Sequence, residues 1–164
     1  MGGGEIVNAG DYEVARRLGC LIAKEGWILL NGGRASGIME ASARGAKENR
    51  GLTIGILPGT DPDWASEYID IPILTGAGLA RNYINVLTSQ VVVALPGRTG
   101  TISEIALALN IGKKVISLKF DLGPLFKKYE EEKRLIYAKQ PEEVIDLIKR
   151  ILKSDFDKEV GKYV

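Results

Sequence analysis

Val91-Val92-Val93-Ala94-Leu95 is apolar at every position. A strand covered on both faces of a parallel sheet has this pattern, because neither side of it meets water. Pro96-Gly97-Arg98-Thr99-Gly100-Thr101 follows at once, and Ile102, Ile105, Ala106 and Leu109 then recur at helical spacing. Strand, glycine loop and helix start therefore succeed one another within about twenty residues, the grammar of a βα unit.

The rest of the chain repeats that grammar. Strands are predicted at Trp27–Leu30, Thr53–Leu57, Val91–Leu95, Lys114–Leu118 and Leu135–Ala138, with an edge segment at Ile69–Ile73, where Pro72 has no amide to donate to a ladder. Helices are predicted at 11–24, 38–49, 76–88, 101–111, 122–134 and 141–152, the last opened by Pro141. Pro58–Asp63 reads as a loop. The alternation predicts an α/β fold: a Rossmann-like doubly wound parallel sheet with helices on both faces. The 164 residues, 45% hydrophobic, suit one domain over 1–164, with 155–164 as a tail.

One element is absent from the pattern. A doubly wound sheet opens on a strand in its middle, yet this chain begins at the loop that would follow it, Gly2-Gly3-Gly4. The slot then needs a filler. Lys158–Val164, which alternates enough to pair, is one candidate; the alternatives are a swapped tail from a partner subunit, or residues preceding Gly2 with a frayed C-terminus.

Composition removes several chemistries. There is no histidine, so a Ser-His-Asp triad, a Cys-His pair and the usual zinc sites are excluded, and no metal site is expected. The single cysteine, Cys20, lies on the first helix, where a buried inert thiol is expected. Basic and acidic residues number 22 and 21, a net charge of +1, which argues against nucleic acid or a membrane surface as partner. The N-terminus has neither part of a secretory signal, and a cytoplasmic protein is expected. The run Lys127–Arg134 reads as a solvated helix face.

The chemistry that remains is anion binding. Two glycine loops lie between a strand and a helix, Asn31–Gly37 and Gly97–Thr101. Free amides and a helix dipole there favour phosphate, and such loops meet beyond the carboxyl ends of the strands. The candidate ligand-binding residues are Gly32, Gly33, Arg34, Ser36, Gly37, Gly97, Arg98, Thr99, Gly100 and Thr101. Neither loop is a Walker A or an ordinary dinucleotide fingerprint. Glu104 reads either as the far half of a Thr101-x-x-Glu104 capping box or as a carboxylate facing a ligand sugar. Arg81, Asn85 and Thr88 form one helical stripe, either a solvent face or one that presents Arg81 to phosphate. Lys113 and Lys114 read as charges at a helix C-terminus.

Gly32–Met39 (GGR-x-x-G-I-M) and Pro96–Glu104 (PG-x-x-GT-x-x-E) together resemble the LOG-like Rossmann superfamily, long labelled "possible lysine decarboxylase". Within it the chain is most similar to molybdenum cofactor carrier proteins, through GWILLNGGRASGIMEASARGAKE, TIGILPG, IDIPILTGAGLARNYINVL and GTISEIALAL. The resemblance spans about residues 14 to 118. It implies a carrier that holds a phosphorylated pterin on backbone amides without turnover, with Gly3 and Gly4 forming a third loop; no cofactor is required, and the molybdenum cofactor or a nucleotide monophosphate is the bound ligand expected. It equally implies the alternative of a cytokinin-activating phosphoribohydrolase acting on a nucleoside 5′-monophosphate, with Arg81 and Glu104 as its catalytic pair. Arg98 in place of that enzyme's second glycine, and the LARNYINV context of Arg81, depart from the hydrolase pattern. A non-catalytic sensing domain is a third reading. Superfamily members imply a homodimer or higher homo-oligomer.

Overall fold

The structure, a computed structural model, describes residues 1–4 and 9–160. Helix α1 (Ala9–Lys24) leads to β1 (Leu29–Asn31), α2 (Gly37–Glu48), β2 (Thr53–Leu57) and β3 (Ile71–Leu74). Then come α3 (Arg81–Thr88), β4 (Val92–Ala94), α4 (Thr99–Asn110), β5 (Val115–Leu118), α5 (Lys127–Glu131), β6 (Leu135–Ala138) and α6 (Pro141–Val160). The strands form two three-stranded parallel sheets, ordered β1-β2-β3 and β4-β5-β6. Helices cover both faces, as the alternation predicts. No helix among the described residues is long and apolar enough to cross a membrane.

Strand alternation sorts the core. Ile116 and Leu118 of β5 join Leu18 and Ile22 of α1, Ile38 and Ala41 of α2, and Val144 and Ile148 of α6. Val115, one residue out of phase, faces Val86 of α3 and Ile105 and Leu109 of α4 on the other side. The apolar strand runs are legible because β5 and its neighbours are buried on both faces.

α1 and α2 cross at unusually short range because glycine stands at the crossing. A Cβ at Gly19 would come within 2.0 Å of the Ser42 carbonyl oxygen, and one at Gly45 within 1.9 Å of the Arg16 carbonyl oxygen. Ion pairs border the apolar contact between α1 and α6: Arg17 pairs with Glu142 at 2.8 Å and Lys149 with Glu25 at 2.7 Å. On the β2 side, the Asp70 carboxylate accepts from the Thr53 amide at 2.9 Å and from the Thr53 hydroxyl at 3.0 Å, with Lys47 beside it. That cluster ties the entry of β2 to β3 and α2.

The predicted empty slot is real and falls between β1 and β4, where the two sheets face each other edge to edge. Met1–Gly3 enters it at one end as a parallel rung on β4. The Met1 amine donates to the Val93 carbonyl at 2.6 Å, the Leu95 amide to the Met1 carbonyl at 3.0 Å, and the Gly3 amide to the Pro96 carbonyl at 3.1 Å. The rest of the slot is a cavity of about 460 Å³.

Several expectations are corrected. Of the tail offered as a filler, Lys158–Val160 are not extended but continue α6; Gly161–Val164 lie outside the described residues. α6 is also eight residues longer than Leu152, its expected end. The single helices expected over 76–88 and 122–134 each begin as a 3-10 turn, Gly78–Ala80 and Pro124–Phe126, before a short α-helix. Gly78, with φ of 55°, breaks the first of them. Cys20 is half-buried rather than enclosed. Lys113 does not cap its own helix; its Nζ donates to the Leu87 carbonyl at 2.8 Å and to the Ser89 carbonyl, closing the C-terminus of α3.

Candidate functional site

Three glycine loops meet at the carboxyl ends of β1 and β4. Gly37, with φ of 59°, lies on the 3–4 segment so closely that a Cβ would sit 2.4 Å from the Gly3 carbonyl oxygen. Gly97 is pressed from two sides, by the Thr101 hydroxyl and the Gly3 amide, at 2.1 and 2.9 Å from the Cβ it lacks. Gly4 faces Ser36. Gly3, Gly4, Ser36, Gly37, Gly97 and Thr101 thus lie against one another, whereas Gly32 lies against Arg81 and Met39 and Gly33 against Gly55 and Leu57.

The two helix starts differ in what they leave open. At α2 the amides are largely taken: Gly33 donates to the Asn31 side chain at 2.8 Å, Ser36 to the Arg34 carbonyl at 2.8 Å, and Ile38 to the Gly3 carbonyl at 3.0 Å. At α4 the helix begins at Thr99, two residues before its expected start, and the first helical bond is Ile102 to Arg98. The amides of Thr99, Gly100 and Thr101 precede it and have no intrahelical partner. A Cβ at Gly100 would meet nothing within 4 Å, so that turn opens outward. Of the two helix starts expected to hold an anion, α4 is the one whose first amides precede the first helical bond.

The earlier start also removes the capping box. Thr101 is inside the helix, and Glu104, only 7% exposed, takes its hydrogen bond from the Asn85 amide group at 2.9 Å. The polar stripe of α3 correspondingly points inward. Asn82 and Asn85 are 6% and 4% exposed, whereas Leu79, Tyr83, Ile84 and Leu87 of the same segment face solvent. Asn82 reaches the Ser103 hydroxyl at 3.1 Å, and Ser103 in turn donates to the Gly100 carbonyl at 2.7 Å, fixing α3 to the first turn of α4. Thr88, the third member of the stripe, is exposed.

Arg81 lies over Gly32, whose missing Cβ would fall 2.2 Å from Nη1, and that nitrogen donates to the Ile56 carbonyl at 3.1 Å. Burial pulls the guanidinium below its ordinary pKa; Glu104 opposes this and Arg34 adds to it by like-charge repulsion. Arginine stays protonated throughout the working range, so the site carries a fixed cation between a carboxylate and a second arginine. Arg34 and Arg98 are exposed, Arg34 with its guanidinium 6.0 Å from the centre of the Trp64 ring. Three buried polar atoms in this region have no hydrogen-bond partner: Ser36 Oγ, Arg81 Nε and Asn85 Oδ1. Such atoms normally find partners, so a site with several is built to receive a polar ligand or water.

Two asparagines were given no contact of their own by sequence reasoning. Asn31 holds the first loop, donating to the Met39 carbonyl at 2.9 Å and the Ser42 hydroxyl at 3.2 Å while its Oδ1 accepts from Gly33. Its signal was an amide residue at a strand end directly before Gly-Gly. Asn85 was read only as part of the Arg81 stripe; its bond to Glu104, 19 residues away, had no local signal.

Glycine loops gathered beyond the carboxyl ends of parallel strands are the architecture of Rossmann-like ligand-binding proteins. The chain belongs to the SLOG cluster4 family, whose model matches residues 1–145. It is similar to the molybdenum cofactor binding protein of the phototrophic bacterium Rippkaea orientalis: 48% identity, TM-score 0.87, 93% of this chain and 94% of that one covered. The molybdenum cofactor carrier protein of Chlamydomonas reinhardtii matches at 39% identity and TM-score 0.85, over 93% and 96% of the two chains. A cytokinin riboside 5′-monophosphate phosphoribohydrolase of Mycobacterium tuberculosis is 33% identical over 95 residues, 57% of this chain and about half (51%) of that enzyme.

Proposed function

We propose that this protein binds a phosphorylated pterin, the molybdenum cofactor, and carries it without turnover. The observation that supports this most is the first turn of α4. Thr99, Gly100 and Thr101 offer amides ahead of the first helical bond, Gly100 opens to free space, and Gly3 and Gly97 wall the turn from behind. A terminal phosphate seats there on backbone donors and the helix dipole. Arg98 and Arg34 add cations at the rim, and Ser36 Oγ offers one further polar contact. Likeness to carrier proteins over nearly the whole of both chains favours this reading over the hydrolase, whose likeness covers half of that enzyme.

The second reading rests on one feature, Arg81 and Glu104 electrostatically coupled beside the loops. In a phosphoribohydrolase, Glu104 would steady an oxocarbenium-like sugar or orient water, while Arg81 would hold the phosphate-bearing end.

The protein is further inferred to act in the cytoplasm as a homodimer through α3. Leu79 is 82% exposed and Leu87 56%, with Tyr83 and Ile84 beside them. An outward apolar face on a helix whose polar face is buried suits a second copy of the same surface.

Native mass spectrometry of protein from a host that makes the cofactor tests the carrier, with a bound phosphorylated pterin expected. Incubation with nucleoside 5′-monophosphates, adenine and cytokinin types included, is expected to release no free base. Release that disappears in Glu104→Ala and Arg81→Ala replaces the carrier with the hydrolase. Leu87→Glu is expected to turn a dimer into a monomer in light scattering, and an unchanged mass refutes the α3 interface.

A further inference from the structure

The turn after β2 brings an exposed tryptophan to the first glycine loop. Trp64 is 56% exposed, whereas Trp27, the other tryptophan of the chain, packs against the core. The backbone that presents Trp64 is firmly held. Asp61 accepts from the Asp63 amide at 2.9 Å, Pro62 opens a 3-10 turn, and the Ala65 amide closes it on the Pro62 carbonyl at 2.9 Å. Ala65 forms an antiparallel bridge with Arg34, and the Ser66 amide donates to the Gly33 carbonyl at 2.8 Å. From the other side, the Gly76 and Gly78 amides donate to the Gly59 and Pro58 carbonyls at 3.1 and 2.9 Å. A large ring held in water on a braced backbone suits recognition, since little freedom is left to lose on binding.

Arg34 joins that ring to the site. Its guanidinium stands 6.0 Å from the centre of the Trp64 ring and makes no ion pair or side-chain hydrogen bond among the described residues. Burial lowers the pKa of Arg81, Glu104 opposes, and Arg34 adds to the lowering, so the two arginines are within electrostatic reach of each other. A guanidinium is planar and weakly hydrated, and it stacks on aromatic faces where a lysine ammonium does not. In the sheet, the carboxyl ends of β2 and β4 are separated by β1 and the Met1–Gly3 segment, which makes three strand spacings or about 14 Å. Arg81, over Gly32 at the end of β1, lies between these two points and keeps Nε without a partner. The phosphate seat at α4 and the Arg34–Trp64 pair thus address opposite ends of an elongated ligand.

We propose that the Arg34 guanidinium, backed by Trp64, is the stacking platform for the planar ring of the ligand. The first turn of α4 takes the phosphate, and the Arg34–Trp64 pair selects a flat heteroaromatic at the far end. The proposal rests on the carrier reading and deepens it. Backbone donors alone hold any phosphate monoester, whereas the platform supplies the preference for a pterin.

The test titrates the metal-free phosphorylated pterin and, separately, inorganic phosphate into the parent, Trp64→Ala, Trp64→Phe, Arg34→Ala and Arg34→Lys. Toward the pterin, Trp64→Ala, Arg34→Ala and Arg34→Lys are each expected to bind about 10-fold or more weakly, and Trp64→Phe to stay near the parent. Toward inorganic phosphate, Trp64→Ala and Arg34→Lys are expected to match the parent. In a Trp27→Phe background, the fluorescence of the remaining Trp64 is expected to change with the pterin and not with phosphate. Parental pterin affinity in Trp64→Ala and Arg34→Lys refutes the platform and leaves the carrier reading in place. So does an equal loss toward pterin and phosphate, which marks a role for charge alone. A parent that binds phosphate but no pterin removes the carrier reading and the platform together. A changed mass of Trp64→Ala in light scattering assigns the ring to a contact between copies and likewise overturns the platform.

Discussion

Gly19→Ala and Gly45→Ala set two effects of opposite sign against each other. Both glycines lie inside helices, where alanine is favoured by about 1 kcal/mol. Against this, the added methyls would stand 2.0 Å from the Ser42 oxygen and 1.9 Å from the Arg16 oxygen, and real Cβ contacts essentially never fall under 3.0 Å. The obstructing atoms are backbone, so no rotamer change relieves the overlap, and α1 and α2 must part by roughly 1 Å. Overpacking of this kind costs about 1–3 kcal/mol, and a gap of that width forfeits a quarter to a half of the local dispersion energy. The overlap wins, with a net loss of about 2 kcal/mol for each substitution, or roughly 4–8 °C in melting temperature for a chain of this size. The double variant should lose less than the sum, because the second methyl enters a crossing already widened. Calorimetric melting and urea titration of both singles and the double measure this, with Gly100→Ala, where nothing lies within 4 Å, as the neutral control. Singles as stable as the parent, or more so, would show that propensity governs the site and that the crossing relaxes freely.

Gly100→Val should melt with the parent yet bind phosphorylated pterin at least about 100-fold more weakly, since the isopropyl group occupies open space over the first turn of α4; unchanged affinity in titration calorimetry would move the anion elsewhere. Asn85→Leu removes the donor to the buried Glu104 carboxylate and should destabilise by about 2 kcal/mol, but cost much less in a Glu104→Leu background. Equal losses in both backgrounds, read by urea titration, would mean that the pair does not interact. Asp70 is held below its ordinary pKa, first by Lys47 and then by the Thr53 amide and hydroxyl, with burial opposing. A lowered carboxylate contributes stability above its unfolded value near about 3.9 and loses it as pH falls through the folded value. Asp70→Asn should accordingly be less stable than the parent at pH 7, with the gap closing below about pH 4 in melting curves; a gap independent of pH would exclude the Lys47–Asp70–Thr53 cluster as its source.

β2, β4 and β5 were legible because burial on two faces writes itself into consecutive apolar residues, whereas β3, exposed throughout, was legible as an edge segment through Pro72. Helix α3 was legible as a helix but not in its orientation. Periodicity marks two stripes, and only tertiary partners decide that Asn82 and Asn85 turn inward while Leu79 and Leu87 turn out. The glycine loops could be placed at strand ends, and the structure brings them together. That α2 spends its amides on Gly3 and Asn31 while α4 keeps its own free depends on loop closure across distant segments. Thr101 and Glu104 have capping-box spacing, yet the helix starts at Thr99 and Glu104 answers Asn85 instead. The unfilled central slot was readable from topology alone. Of the expected filler Lys158–Val164, residues 158–160 continue α6 and residues 161–164 lie outside the described residues.

With no ladder hydrogen bond joining β1 to β4 among the described residues, the two halves of the molecule communicate through helices. α1 is the principal bridge: its glycine face grips α2 in one half, and its charged face meets α6 of the other at Arg17–Glu142 and Glu25–Lys149. Those ion pairs are largely exposed and weaken as salt rises, whereas the glycine crossing does not respond to salt. The two sides of α1 are thus joined differently, by a glycine crossing on one and by an apolar seam of Leu18 and Ile22 against Val144 and Ile148, trimmed with exposed ion pairs, on the other. Raising the salt therefore lowers the stability of the whole molecule slightly, and the shared apolar core keeps the two halves unfolding as one unit.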